Sequence, residues 1–403
     1  MEKESYIPSE EILEKYAKVL INFALNNGEG VKPKEVVILQ VPECAKPMLI
    51  HLRREVLKAG AYPIIHYLPN EMQREFFELA TPDQLEFFPD KYLKGRVEQV
   101  DHFVMIIAET NKHELEGIDP KKIMTNAKSF NPYYEWREEK EVKGKLTWTL
   151  GMYATEEMAK EAGLTLEECW NQIFQACYLL EENPVEKWKE AHIKLNTLKE
   201  KLNKLSINKL KIKSEGTDLT VGIGKNRQWV GATGRNIPSF EIFISPDYRI
   251  TEGHAKFDQP LYRDGSLVKG IYLEFKEGKI TKATAEKGEE ILKEMIKVEG
   301  AEQIGEFSLT DISFSKISRF MAETLFDENF GGKYGNFHVA LGNSYKDSYP
   351  GDSSIIKREQ WKEMGYNKSA IHTDIISTLN REVTAILENG ESMLIYQDGK
   401  FTI

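Results

Sequence analysis

The sequence predicts an α/β N-terminal domain followed by an α+β C-terminal domain. Three observations carry that reading. Strand-like apolar runs alternate with helical segments through the first half. Near residues 205–210 the texture changes to short alternating segments separated by turns. The length of 403 residues, at about 150 residues per domain, leaves room for two to three domains with sizeable cores.

Residues 9–27 read as a helix opened by Ser9, with Glu10 and Glu11 in its first turn. Val36 to Val41 is a continuous apolar run, the mark of a strand buried on both faces. Residues 44–60 are helical and stop at Gly60. Ala61 to Tyr67 reads as a second strand and Phe103 to Ala108 as a third. This alternation predicts a mostly parallel sheet covered by helices. The region 130–182 reads as mainly helical, with Thr155-Glu156-Glu157 and Thr165-Leu166-Glu167-Glu168 opening two helices. Leu195, Leu198, Leu202 and Leu205 form one face of an amphipathic helix. Its end sets the expected boundary between domains 1–205 and 206–403.

Beyond that boundary, Leu210 to Lys213, Asp218 to Ile223, Phe240 to Ile244, Gly270 to Phe275 and Phe337 to Leu341 read as strands. Lys276-Glu277-Gly278-Lys279 reads as a hairpin turn. Helices are expected over 283–297 and 312–326.

Lys and Arg number 54 against 64 Asp and Glu, a formal charge of −10. That balance argues against broad binding to nucleic acid or an anionic membrane. Cys44, Cys169 and Cys177 are too few and scattered for a disulfide framework, and no CxxC pair offers a thiolate zinc site. The Met-Glu-Lys-Glu-Ser start lacks the pattern of a signal peptide, and no apolar run approaches the ~20 residues of a membrane helix. A soluble, reduced, cytoplasmic protein is the expectation. Gly222-Ile223-Gly224 begins a dinucleotide-like pattern, but Arg227 replaces its third glycine; a strand-end turn explains it better. No GxxxxGK[ST], HExxH or GxSxG motif occurs.

The chemistry concentrates in the second half. Phe240, Ile242 and Ile244 share one strand face, which turns Glu241 to the other. The same alternation sets His338 opposite the apolar residues of 337–341. His372 and Asp374 stand at i and i+2, on one side of an extended segment. Glu306 sits in the apolar Ile304-Gly305-Glu306-Phe307, where a lone carboxylate would be costly. Glu328 ends a helix before a glycine-rich loop. Each residue alone is explained by a solvated strand face, a surface pair or a helix end. Together, carboxylates and two histidines suit a two-metal hydrolase, because carboxylates bridge cations and imidazoles cap them.

These segments resemble the M29 family of metallo-aminopeptidases, the aminopeptidase T and aminopeptidase S group. The resemblance runs through Lys145-Leu-Thr-Trp148, Tyr153 to Gly163, Gly216-Thr-Asp-Leu219, Asn236-Ile-Pro238 and the Gly265 to Gly278 hairpin region. It continues through Gly305-Glu306-Phe307, Leu325-Phe-Asp-Glu328, His338 to Tyr345 and His372-Thr-Asp374, and so covers most of the chain. It implies that Glu241, Glu306, Glu328, His338, His372 and Asp374 hold two divalent ions (Zn, Co, Mn or Mg), with Glu306 as bridge and possible base. It implies that Tyr345 is the catalytic tyrosine, that a water shared by the ions attacks, and that the substrates are peptides with a free N-terminus. It also implies a homodimer with the metals in the C-terminal domain.

Two departures stand out. The stretch from Asn329 to Phe337 is longer than the family pattern, which puts the placement of Glu328 in question. Ser239-Phe240 replaces a more acidic pair before Glu241. Two other readings share the motifs: a mononuclear non-haem iron ring-cleaving dioxygenase of the same group, and a non-catalytic metal-stabilised binding protein.

Overall fold

The computed structural model describes residues 6–263 and 266–403. The Met1–Ser5 start and Gly265, where the hairpin region of the resemblance begins, lie outside the described residues. The chain divides into two compact units, Met1–Lys189 with Thr233–Ile237, and Glu190–Ala232 with Pro238–Ile403. The division falls within the helix Pro184–Lys204, short of the 205/206 boundary drawn from sequence texture.

The first unit holds four parallel strands: β1 (Val36–Pro42), β2 (Tyr62–Leu68), β3 (His102–Ile107) and β4 (Thr147–Met152). Their order is β2-β1-β3-β4. Val37, Ile38, Leu39 and Val41 are buried on both faces of the strand, with the half-buried Gln40 between the last two. The helix Glu10–Asn22 is capped by Ser9, whose Oγ accepts from the Ile12 amide. Thr165 and Glu168 close a reciprocal capping box on the helix Leu166–Ala176. The stretch 130–182 is mainly helical as expected, with Asn131–Val142, Glu156–Glu161 and Leu166–Ala176, but it also contains β4. Thr147, Trp148 and Thr149 favour a strand, and the long helical run around them hid that signal.

The second unit is built on antiparallel pairing. Its strands are β5 (Ile207–Ser214), β6 (Thr217–Gly222), β7 (Val230–Gly231), β8 (Glu241–Ile244), β9 (Thr251–Phe257), β10 (Leu261–Arg263) and β11 (Ser266–Val268). They continue with β12 (Ile271–Lys276), β13 (Lys279–Thr284), β14 (Ile304–Thr310), β15 (Asn336–Gly342), β16 (His372–Ser377), β17 (Arg381–Leu387), β18 (Ser392–Gln397) and β19 (Lys400–Phe401). One sheet runs β13-β12-β9-β6-β5-β17-β18-β19, and a second runs β16-β15-β14-β8-β7. Glu277 and Gly278 turn β12 into β13 with φ of 50° and 77°, the left-handed pair that a tight hairpin needs.

The helix expected over 283–297 is shorter, Glu289–Ile296, because β13 reaches Thr284. The helix expected over 312–326 does not form; only Thr324–Asp327 is helical. Side chains take over its backbone donors. Asp327 accepts from the Met321 and Glu323 amides, and Asp311 from the Ser313 amide. Local carboxylate–amide bonds of this kind compete with helix formation.

The second sheet positions the chemistry. β14 and β15 are buried along their whole lengths. Their register shifts between Ile304 and Glu306, a bulge centred on Gly305. A Cβ at Gly305 would stand 2.3 Å from the Asn343 carbonyl oxygen and 2.4 Å from that of Gly342. Only glycine allows that approach. Gly305→Ala should therefore destabilise the metal-free protein by about 1–3 kcal/mol, read as a lower urea midpoint. An unchanged midpoint would show that the two segments part freely.

Candidate metal centre

Directly opposed residues of antiparallel strands share a face. On one face of the second sheet, Glu241 opposes Thr310, Ser308 opposes His338, and Glu306 opposes Ala340. Ala340 in turn opposes Asp374, and Gly342 opposes His372. The small side chains of Ala340 and Gly342 leave room between the longer groups. The other face carries Ile242, Phe307, Leu309, Phe337, Val339 and Ile375, which are core. The period-two reading of Glu241, His338, His372 and Asp374 thus resolves into one surface assembled from separate strands.

The distances describe two groups with a common member. His338 Nε2 lies 3.3 Å from Glu241 Oε2 and 3.2 Å from Glu306 Oε1. His372 Nε2 lies 3.7 Å from Glu306 Oε2 and 3.5 Å from Asp374 Oδ1. Glu241, Glu306 and His338 form one triad with ligand atoms within 4.8 Å of one another; Glu306, His372 and Asp374 form the other. Each Glu306 oxygen faces a different histidine. Glu328 is buried beside this set but belongs to neither triad. The carboxylates of Glu241 and Asp374 act on it electrostatically.

The electrostatics are those of carboxylates short of cations. Burial, and then Glu241, push Glu306 up to about 7 against the pull of the His338 hydrogen bond. Burial and the Glu241 and Asp374 carboxylates push Glu328 well above its ordinary range. For His338, burial lowers the pKa, but hydrogen bonds to Glu241 and Glu306 outweigh it and raise it well above normal. His372 follows the same logic, with Asp374 and Glu306 raising it to about 9 against burial. Burial opposes ionisation of Asp374 too, yet His372 and His338 hold it below the usual carboxylate value. Asp374 Oδ1 is buried and accepts no hydrogen bond. An orphaned oxygen among oxygen and imidazole donors fits divalent metal ions.

Further side chains orient this set. Ser308 Oγ donates to Glu241 Oε2 at 3.0 Å. His372 Nδ1 lies 2.8 Å from the Asn343 carbonyl oxygen, which can only accept. Nδ1 therefore carries the proton and Nε2 faces the carboxylates. Tyr345 follows β15; its amide donates to Ser245 Oγ at 2.9 Å, and its ring centroid lies 4.6 Å from that of His372. The residue is only partly covered, at 42% exposure. Loss of hydration around its phenol, and then Glu306 and Asp374, push it well above the ordinary value, so it stays protonated. Ser308 and Asn336 were missed from sequence, although each stands two residues from a chosen group on the same strand face. His113, Glu157 and Glu161 in the first unit were also unread. Ion pairs of 3.2 Å from His113 to Glu161 and 3.5 Å from Lys160 to Glu157 account for that group.

Residues 9–401 match the sequence model described as "Thermophilic metalloprotease (M29)". The chain belongs to the M29 metalloprotease family. Among its M29 relatives, Aminopeptidase PepS of Streptococcus thermophilus is 30% identical over 98% of each chain. Aminopeptidase T of Thermus thermophilus is 29% identical over 97% of this chain and 98% of its own. Aminopeptidase AmpS of Bacillus subtilis is 27% identical over 96% and 98%. The solved structure of wild-type AmpT from Thermus thermophilus superposes with a TM-score of 0.82 at 26% identity. It covers 98% of this chain and 100% of that one. The mixed α/β architecture, with one parallel and several antiparallel sheets, is therefore shared with a solved M29 member.

In the metal-free protein the His372 imidazole should titrate near 9. Asp374→Asn removes the first of the interactions that raise it and leaves burial, which lowers it. The pKa should fall below that value in histidine NMR titration; a value still near 9 would refute the assigned cause.

Proposed function

We propose that this M29 chain is a dinuclear metal-dependent aminopeptidase that removes N-terminal residues from peptides. The observation that carries the proposal is the pair of triads sharing Glu306, one carboxylate oxygen toward each histidine. Glu241 and His338 would hold one divalent ion, His372 and Asp374 the other, and Glu306 would bridge them. Glu328, buried beside both triads, completes the acidic set. The relatives' names as aminopeptidases support the reaction class.

Two such ions, whether Zn, Co, Mn or Mg, supply Lewis acidity, polarising the scissile carbonyl and lowering the pKa of a shared water toward neutrality. The chain's own groups do the rest. Ser308 and the Asn343 carbonyl fix Glu241 and His372, so the donors are oriented before substrate arrives. Tyr345 keeps its proton and donates it as a hydrogen bond to the developing oxyanion. Glu306, raised toward neutrality in the metal-free state, is the carboxylate best matched to proton transfer. A free α-amino group would bind one of the ions or a nearby carboxylate, which an acylated terminus cannot do.

A mononuclear iron dioxygenase needs one open site with a single set of ligands; two triads and aminopeptidase relatives speak for hydrolysis instead. The homodimer and cytoplasmic location implied by the resemblance belong to this proposal. Among the described residues, no helix is long and apolar enough to cross a membrane.

The test is metal stripping and add-back with elemental analysis, assayed on aminoacyl-nitroanilides and on N-acetylated controls. Two ions per chain, restored turnover and no cleavage of acetylated substrates are expected. One iron per chain with dioxygen uptake would overturn the hydrolase reading. Metal binding without any turnover would leave a binding protein. Tyr345→Phe should keep its metal and lose about 10²–10³ in kcat; an undiminished kcat removes Tyr345 from the mechanism. Glu306→Gln should lose metal and activity together, and full occupancy at full rate would refute its bridging role.

A further inference from the structure

The stretch between Glu328 and His338 carries Gly331, Gly332 and Gly335, a backbone with little stiffness of its own. Yet its two ends bring buried groups to one site. At the near end, Asn329 Oδ1 accepts from the Phe240 amide at 2.6 Å, next to Glu241. Its Nδ2 donates to Glu328 Oε1 at 3.2 Å and to the Leu325 carbonyl at 3.2 Å. At the far end, Asn336 is fully buried. Its Nδ2 donates to the carbonyls of Glu328 at 3.1 Å and Phe330 at 2.7 Å. Its Oδ1 faces His338 Nδ1 at 3.4 Å.

The amide orientation of Asn336 is dictated by chemistry. Two carbonyl oxygens can only accept, so the nitrogen must face them. The oxygen is then left for His338 and can only accept in turn. His338 Nδ1 must carry a proton, and Nε2 is the nitrogen directed at Glu241 and Glu306, the one that would exchange its own proton for metal. One side chain thus ties the Glu328 backbone to the His338 ring across the glycine-rich loop.

We infer that Asn336 is a positioning residue: it holds Glu328 and His338 in one arrangement across this loop and selects the His338 nitrogen that meets metal. The inference rests on the proposal that His338 is a metal ligand.

The test compares Asn336→Ala and Asn336→Asp in full-length protein, stripped of metal and titrated with zinc against a competing chelator. Metal-free thermal unfolding is measured alongside. Both variants lose the bonds to the Glu328 and Phe330 carbonyls, so both should melt lower without metal. Only the aspartate keeps an oxygen for Nδ1. Asn336→Ala should lose about 10–100-fold in zinc affinity, and Asn336→Asp should recover most of it. Equal affinity losses in the two variants, in step with their melting temperatures, would reduce Asn336 to loop structure and overturn the inference. A long-range 1H–15N spectrum of zinc-loaded wild type serves if either variant fails to fold. It should show His338 metallated at Nε2 with its proton on Nδ1, and metal on Nδ1 overturns the inference. Wild-type zinc affinity in His338→Ala would instead refute the ligand reading itself, and the two failures are thereby told apart.

Discussion

The second unit is organised around a cost: four carboxylates, Glu241, Glu306, Glu328 and Asp374, are buried together. Ionised carboxylates crowded in a low-dielectric interior repel one another and lose their hydration. Without cations the protein answers with protons. Both histidines are held charged, and Glu306 and Glu328 are raised toward neutrality. A site whose own groups cannot all ionise unaided is one that a divalent cation relieves.

Strand pairing brings that cost about, and it also limits it. Antiparallel register puts ligand candidates from β8, β14, β15 and β16 on one face while the opposite face fills with Phe307, Leu309 and Val339. Moving one strand by a single residue would exchange those faces and bury the acids in the apolar layer. The apolar packing that stabilises the sheet therefore also fixes the acidic face. The Gly305 bulge adds a local correction, re-aiming Glu306 so that its two oxygens reach different histidines.

What the sequence made legible was local. The run Val36–Val41, the Ser9 and Thr165 caps and the Glu277-Gly278 turn are short-range signals, and each formed where expected. The alternation around Glu241 and His338 located their faces, because a period of two needs no knowledge of partners. The 312–323 segment failed because Asp311 and Asp327 take its backbone donors. The pairing of Glu306 with Ala340 and of Ala340 with Asp374 was invisible, since neither partner lies nearby in sequence. The family resemblance drew the six residues together before any register was known, but it carried no account of Ser308, Asn336 or the bulge.

The overall charge of −10 gains meaning at this scale. It argued only against polyanionic partners when read from composition. Locally, the four buried carboxylates would carry −4 if fully ionised, which equals the charge of two divalent ions with opposite sign. The metal-free protein approaches that balance with two imidazolium groups and protons shared by Glu306 and Glu328. Under the proposed function, loading would exchange protons for metal, and affinity would weaken as pH falls and the protonated fraction of His372 rises. Water could not replace either cation at comparable cost, because it would leave the carboxylate repulsion in place. Under the proposed function, the cluster is a cation site that the sheet maintains, and the apolar face that fixes its register is what keeps it assembled.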